Sequence, residues 1–157
     1  MRINTNIGES LKNIRNYFGY TQQEIADQIN IKRSLYSNYE TNDCLIPLKN
    51  LIKLANFYKI TVDSLLAFTD LEKSNKDIEL NSEIISRNIK AIRQELNLSQ
   101  KKLADLLNIG KSTIVDYEKQ KYQISTAYIY DLSRLSGISV DWILGIQKNK
   151  YIIAKNK

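Results

Sequence analysis

Apolar residues recur at spacings of three and four along the first 67 residues, and capping and turn residues punctuate the runs. Ile7, Leu11, Ile14 and Phe18 form a first helical stripe, opened by Asn6 with Glu9 three residues on and closed by Gly19. Thr21 with Glu24 opens a second helix, Gln22 to Ile29, whose Ile25, Ala26 and Ile29 face inward before Asn30 breaks it. A third follows from Arg33 to Glu40, with Tyr36 and Tyr39 on its inner face, and the chain then turns through Thr41, Asn42 and Asp43. Pro47 suits the first turn of a fourth helix that buries Leu51, Leu54 and Ala55. Thr61, Val62 and Asp63 start a short fifth with Leu65 and Leu66. The β-branched clusters are too short, and too well phased at three and four, to read as strands.

The pattern is then written a second time. Shifting the sequence by 78 residues places Ile14 and Arg15, Ala26 and Asp27, Asn30 and Ile31, Ser34, Tyr39 and Glu40, and Ile60, Val62 and Asp63 on their counterparts without a gap. Those counterparts are Ile92 and Arg93, Ala104 and Asp105, Asn108 and Ile109, Ser112, Tyr117 and Glu118, and Ile138, Val140 and Asp141. Two copies are too few for a solenoid, so each must hold its own core. The expected class is all-α: five-helix domains at 1–68 and 84–146, a linker at 69–83 and a basic tail at 147–157.

Charge separates the copies. Residues 1–67 carry a net +2, residues 68–83 a net −3 and residues 84–157 a net +7. A basic domain attracts phosphate polymers, although a solubilising lysine surface accounts for the same number. With no histidine and one cysteine, Cys44, the chain offers no His-based triad, no usual zinc set and no internal disulfide. No enzyme activity, metal or cofactor is expected. The 157 residues contain no bilayer-length apolar run, and Arg2, Asn4, Asn6 and Glu9 do not make a signal peptide, so the expected location is the cytoplasm, at the nucleoid.

Two helices joined by a three-residue turn, the second with a polar outer face, describe a helix-turn-helix. The strings 21–26, 34–40 and 47–66, repeated at 99–104, 112–118 and 132–144, closely resemble the Cro-like, lambda-repressor-like helix-turn-helix domains of the XRE family. The resemblance covers both copies and leaves only the linker and tail outside it. It implies a sequence-specific regulator of transcription, most simply a repressor, whose partner is double-stranded DNA. The third helix of each copy would lie in the major groove.

By position, the resemblance makes Lys32, Arg33, Ser34, Ser37 and Asn38 the base-reading residues of copy one, and Lys111, Ser112, Val115 and Asp116 those of copy two. Arg33 has the fork that suits guanine O6/N7, and Asn38 the amide that suits adenine N6/N7. In copy two, Val115 suits a thymine methyl, while Asp116 can accept from cytosine N4 but repels phosphate. Phosphate contacts fall to Thr21, Gln22 and Asn42, and to Ser99, Gln100, Lys119, Gln120 and Lys121. The solvated face of a short helix, or a cap-box position without DNA, is the plain alternative for these residues. Arg15 with Glu40, and Arg93 with Glu118, match the family's structural ion pair.

Two departures stand out. Where the family often places glycine after the glutamate, Asn42 suits a left-handed turn and Gln120 suits it less. Ser125 stands where copy one has Pro47, trading a helix-start residue for a capping hydroxyl.

As a free linker, residues 69–83 would reach about 50 Å at roughly 3.3 Å per residue, beyond the roughly 34 Å between half-sites one helical turn apart. Leu71, Ile78 and Leu80 suit packing onto a domain instead. The tail suits disorder or self-packing, a second copy of the chain, a protein partner or DNA. A second functional reading follows from it, a protein-binding module such as an antitoxin or antirepressor that uses the helical surface, the tail and the region around Trp142.

Overall fold

The structure, a computed structural model, describes residues 6–152. Among these residues there are ten helices and no strand. Domain 1 contains α1 (Ile7–Phe18), α2 (Gln22–Gln28), α3 (Arg33–Glu40), α4 (Leu48–Tyr58) and α5 (Val62–Leu65). Domain 2 contains α6 (Ser82–Glu95), α7 (Gln100–Leu107), α8 (Lys111–Glu118), α9 (Thr126–Ser136) and α10 (Val140–Ile143). The chain divides into two compact units between Ile78 and Glu79.

Caps explain most helix starts. The Thr21 hydroxyl accepts from Glu24 N–H while the Glu24 carboxylate accepts from Thr21 N–H, a complete capping box at α2. Ser99 caps α7, and Ser125, standing where domain 1 has Pro47, accepts from the Tyr128 N–H at the start of α9. Pro47 itself lies just outside α4, as its N-cap.

The start of α1 departs from expectation. Asn6 makes no side-chain cap. An oxygen from a distant turn supplies one instead: Asn42 Oδ1 accepts from Gly8 N–H at 3.1 Å. Asn42 has φ 60°, the left-handed turn its position called for, and Gln120 adopts the same φ. A Cβ on Gly8 would stand 2.4 Å from the Glu40 carbonyl oxygen and 2.6 Å from that of Tyr39. Glycine is therefore required where α1 meets the end of α3. In domain 2 the equivalent Ser86 donates its hydroxyl to the Tyr117 carbonyl oxygen at 2.8 Å.

Gly8→Ala is therefore expected to destabilise domain 1 by about 1–3 kcal/mol, since backbone oxygens cannot step aside as a side chain does. Ser86→Ala forfeits one hydrogen bond, about 1 kcal/mol. Urea unfolding followed by circular dichroism measures both; equal costs would mean that the close approach at Gly8 relaxes freely.

Each core sits where the inner faces of its helices meet. Leu11, Ile25, Tyr36, Leu51, Leu54, Val62 and Leu65 close the first, and Ile89, Ile92, Leu103, Ile114, Leu132, Val140 and Ile143 the second. The α1 stripe is narrower than its spacing suggests. Ile14 is half-buried, and Phe18 lies at the edge, stacked on Tyr58 with ring centroids 5.0 Å apart.

The segment between the copies is mostly part of domain 1. Thr61 N–H donates to the Glu72 carbonyl and Ser74 N–H to that of Lys59, so residues 72–74 form an antiparallel strap along 59–61. Ile78 is buried and exchanges two hydrogen bonds with the Asn56 side chain. Ser82 and Glu83 already belong to α6, capped by Asn81, which leaves Glu79 and Leu80 between the last anchored residue and the cap.

The tail repeats this device 78 residues on. Ser139 N–H donates to the Lys150 carbonyl and Ile152 N–H to that of Gly137. Lys150 and Tyr151 also reach Glu95, and the Lys150 ammonium lies 4.9 Å from the centre of the half-buried Trp142 ring. The rest of the tail, 153–157, lies outside the described residues.

Candidate nucleic-acid interface

In each domain one polar cluster holds the third helix. Arg15 Nε donates to Glu40 Oε1 at 2.6 Å and Nη2 to Oε2 at 3.1 Å, while Nη1 donates to the Tyr20 carbonyl at 2.8 Å. The side chains retain only 11% and 3% of their exposure. This is the bidentate geometry that makes arginine the fitting partner of a buried carboxylate. Domain 2 repeats it: Arg93 Nε and Nη2 donate to Glu118 at 2.5 and 3.1 Å, and Nη1 donates to the Leu98 carbonyl at 2.9 Å. The pair ties the first helix, and the turn after it, to the end of the third.

A glutamine extends the cluster outward. Gln22 Nε2 donates to Glu40 Oε2 at 2.8 Å, and Gln100 Nε2 to Glu118 Oε2 at 2.9 Å. Each amide thereby commits one of its two N–H groups to the ion pair and keeps the second. In domain 1 the Gln22 carbonyl oxygen accepts from Arg33 Nη1 at 3.3 Å, so a polar chain runs from half-buried Arg15 to exposed Arg33. The spacing that marked Gln22 and Gln100 carried no sign of this contact, because it joins helix starts and ends 18 residues apart.

Burial acts on the groups around the first pair. On its own it would raise the Glu40 pKa, but hydrogen bonds from Arg15 and Gln22 outweigh it and hold the carboxyl below its ordinary value. The hydrogen bond to Glu40 raises the Arg15 pKa. Burial also pushes the Tyr36 and Tyr58 phenols up, so both stay neutral.

The N-cap and outer face of α3 present Lys32, Arg33, Ser34 and Asn38 exposed, with Ser37 half-buried. The inner face is Tyr36 and Tyr39, whose hydroxyl accepts from Asn50 Nδ2 at 3.3 Å. Leu35 is also exposed on this helix, an apolar group whose residue type gives no sign of a contact to DNA.

On α8, Lys111 and Ser112 are exposed while Val115 and Asp116 are half-buried. Asp116 is not a bare charge, since Lys121 stands 3.7 Å from its carboxylate. Lys119, Gln120 and Lys121 are exposed after the helix. The remaining candidates have internal duties: the Thr21 and Ser99 hydroxyls cap α2 and α7, and Asn42 Oδ1 caps α1.

A helix-turn-helix domain family matches residues 8–71, and a second helix-turn-helix family matches residues 89–143. An SPbeta prophage-derived helix-turn-helix transcriptional regulator of Bacillus subtilis, YonR, is 40% identical over 76 residues, which are 46% of this chain and 70% of that protein. The chain belongs to the XRE-type helix-turn-helix regulators.

Other relatives of this regulator are similar over shorter shares of their length. The B. subtilis transcriptional regulator ImmR is 37% identical over 78 residues, half of this chain and 61% of the relative. The cryptic phage CTXphi transcriptional repressor RstR of Vibrio cholerae is 37% identical over 59 residues, 38% of this chain and 53% of the relative. The chain thus spans between about half and 70% of these relatives. No solved structure matches it significantly.

Proposed function

We propose that this chain represses transcription by binding double-stranded DNA sequence-specifically, with α3 and α8 each docked in a major groove. The observation that carries the reading is the duplicated Arg–Glu–Gln cluster, which fixes a polar reading helix at the same place in both domains. On this reading Lys32, Arg33, Ser34, Ser37 and Asn38 meet bases in one half-site, and Lys111, Ser112, Val115 and Asp116 meet the other. Gln22 and Gln100 offer their second amide N–H to phosphate at helix starts that already favour anions. The repressor sense follows what RstR is named for, and the site of action is the nucleoid in the cytoplasm.

The two domains divide the work. Domain 1 offers a guanidinium and an amide to bases, whereas domain 2 offers lysines to phosphate around a shielded carboxylate. The test is selection of bound duplexes from a random library at two salt concentrations. A bipartite motif that survives the higher salt is expected. Binding that is sequence-blind and vanishes with salt would overturn the reading and favour a protein partner.

Lys119→Ala/Lys121→Ala measures the phosphate share. The slope of log affinity against log salt should fall by about one for each lysine that neutralises a phosphate. Lys121 already faces Asp116, so most of the change should come from Lys119. An unchanged slope would remove both from the interface.

A further inference from the structure

Domain 2 contains a cleft that DNA reading leaves unused. It lies between the end of α7, the inner face of α8 and the start of α9, and encloses about 140 Å³. Leu107 and Ile109 form an apolar wall, Thr113 and Tyr117 face it from α8, and Tyr128 and Asp131 close it from α9. Two buried polar atoms among these residues have no hydrogen-bond partner, the Tyr128 hydroxyl and Asp131 Oδ2. A native interior rarely leaves such atoms unmatched, because each costs desolvation that nothing offsets.

Arg134, on the same helix, acts on the Asp131 carboxylate through space but leaves Oδ2 without a hydrogen bond. Arg134 donates to the Tyr130 hydroxyl at 3.5 Å and lies over that ring. Domain 1 differs at the same positions of the repeat, with Leu35 for Thr113, Lys49 for Ala127 and Lys53 for Asp131. At these three positions domain 2 has the smaller residue, and a carboxylate replaces an ammonium.

We propose that this cleft binds a small organic monocation, an ammonium carried on a short apolar or aromatic group. The ammonium meets the free Asp131 oxygen while the apolar part lies along Leu107, Ile109 and the Tyr117 ring, whose face also favours a cation. Size fits: an apolar cavity of about 150 Å³ accepts benzene. Burial pushes the Asp131 carboxyl pKa up, and a bound cation would oppose that by favouring the charged form. Thr113 and Tyr117 place the occupant directly against the helix that carries Lys111 and Ser112.

The test needs no DNA and is independent of the function proposed above. Amide ¹H–¹⁵N spectra of the full chain are titrated with benzylammonium chloride and, separately, with benzyl alcohol. Saturable shifts confined to α7, α8 and α9 are expected, with the alcohol about tenfold weaker or more, as the loss of a charged hydrogen bond implies. Asp131→Asn should bring the two probes to equal affinity. Ala127→Lys, which installs the domain 1 residue, should abolish both. Absence of saturable shifts in the parent chain, equal affinity for alcohol and ammonium there, or an undiminished preference in Asp131→Asn would each overturn the proposal.

Discussion

Replacing Arg15 by alanine is expected to unfold domain 1 at denaturant concentrations that leave domain 2 folded. Glu40 keeps 3% of its side-chain exposure, so losing the guanidinium strands a carboxylate that water cannot reach. Breaking a buried pair by removing one partner costs about 3–5 kcal/mol, a large part of what a domain this small can have. The Tyr20 carbonyl loses its donor as well. The measurement has an internal control. The single tryptophan, Trp142, lies in domain 2, so its fluorescence follows that domain alone while circular dichroism follows both. In Arg15→Ala the early part of the dichroism transition should move to lower urea and the fluorescence transition should stay. Arg93→Ala should do the reverse. An Arg15→Ala transition superimposable on the parent's would show that the pair is not the clamp.

Acid should reach the same weak point. The Glu40 carboxyl titrates below its ordinary 4.5 in the folded domain, because hydrogen bonds from Arg15 and Gln22 overcome the opposing effect of burial. A depressed folded pKa contributes stability that is fully present above the unfolded value and is lost as pH falls through the folded one. The contribution therefore holds at neutral pH, begins to fall at about pH 4.5 and is lost as pH drops through the lower folded value. Arg15→Ala removes the main opposing cause and leaves burial, so in that variant acidification should no longer cost domain 1 the Glu40 contribution, and its stability should fall less between neutral pH and about pH 4 than the parent's.

The residues of this clamp were legible because each bears a chemical type at a repeated position. Arg15, Gln22 and Glu40 recur as Arg93, Gln100 and Glu118 in the same frame. The helix starts were legible for a similar reason, since Thr21, Ser99 and Thr61 cap through side chains local to the helix they open. The cap of α1 was not, because its acceptor comes from Asn42, 34 residues away, and Asn6 offered a plausible local substitute. The straps were hidden differently. Residues 72–74 and 150–152 hold their places through backbone hydrogen bonds, which leave no mark on residue type. Their sequences, Glu72-Lys73-Ser74 and Lys150-Tyr151-Ile152, share nothing although they pair alike. The cleft was hidden by the resemblance itself: Thr113, Ala127 and Asp131 are departures from copy one, and departures read as noise until they are found lining one space.

Arg33→Ala/Asn38→Ala is expected to remove most of the specificity of domain 1 while leaving its fold intact. Both side chains are exposed, and the hydrogen bond of the Arg33 guanidinium to Gln22, at 3.3 Å, lies outside the one that Gln22 makes to Glu40. Stability should therefore change by less than about 0.5 kcal/mol, as is usual for surface positions. A bidentate side-chain contact to a base is worth about 1–3 kcal/mol of discrimination, so losing two should weaken binding to the selected duplex on the order of a hundredfold or more. Binding to a scrambled duplex of equal length should weaken far less, because only the Arg33 charge is lost and the phosphate term depends on charge alone. Arg33→Lys separates the two contributions further. It restores the charge but not the planar fork, so it should recover scrambled-duplex binding without recovering specificity. The decisive quantity is the ratio of the two affinities at one salt concentration. If specific and scrambled binding fall by the same factor, Arg33 and Asn38 only neutralise and position the backbone, and the discrimination must reside elsewhere on α3, with exposed Leu35 the next side chain to change.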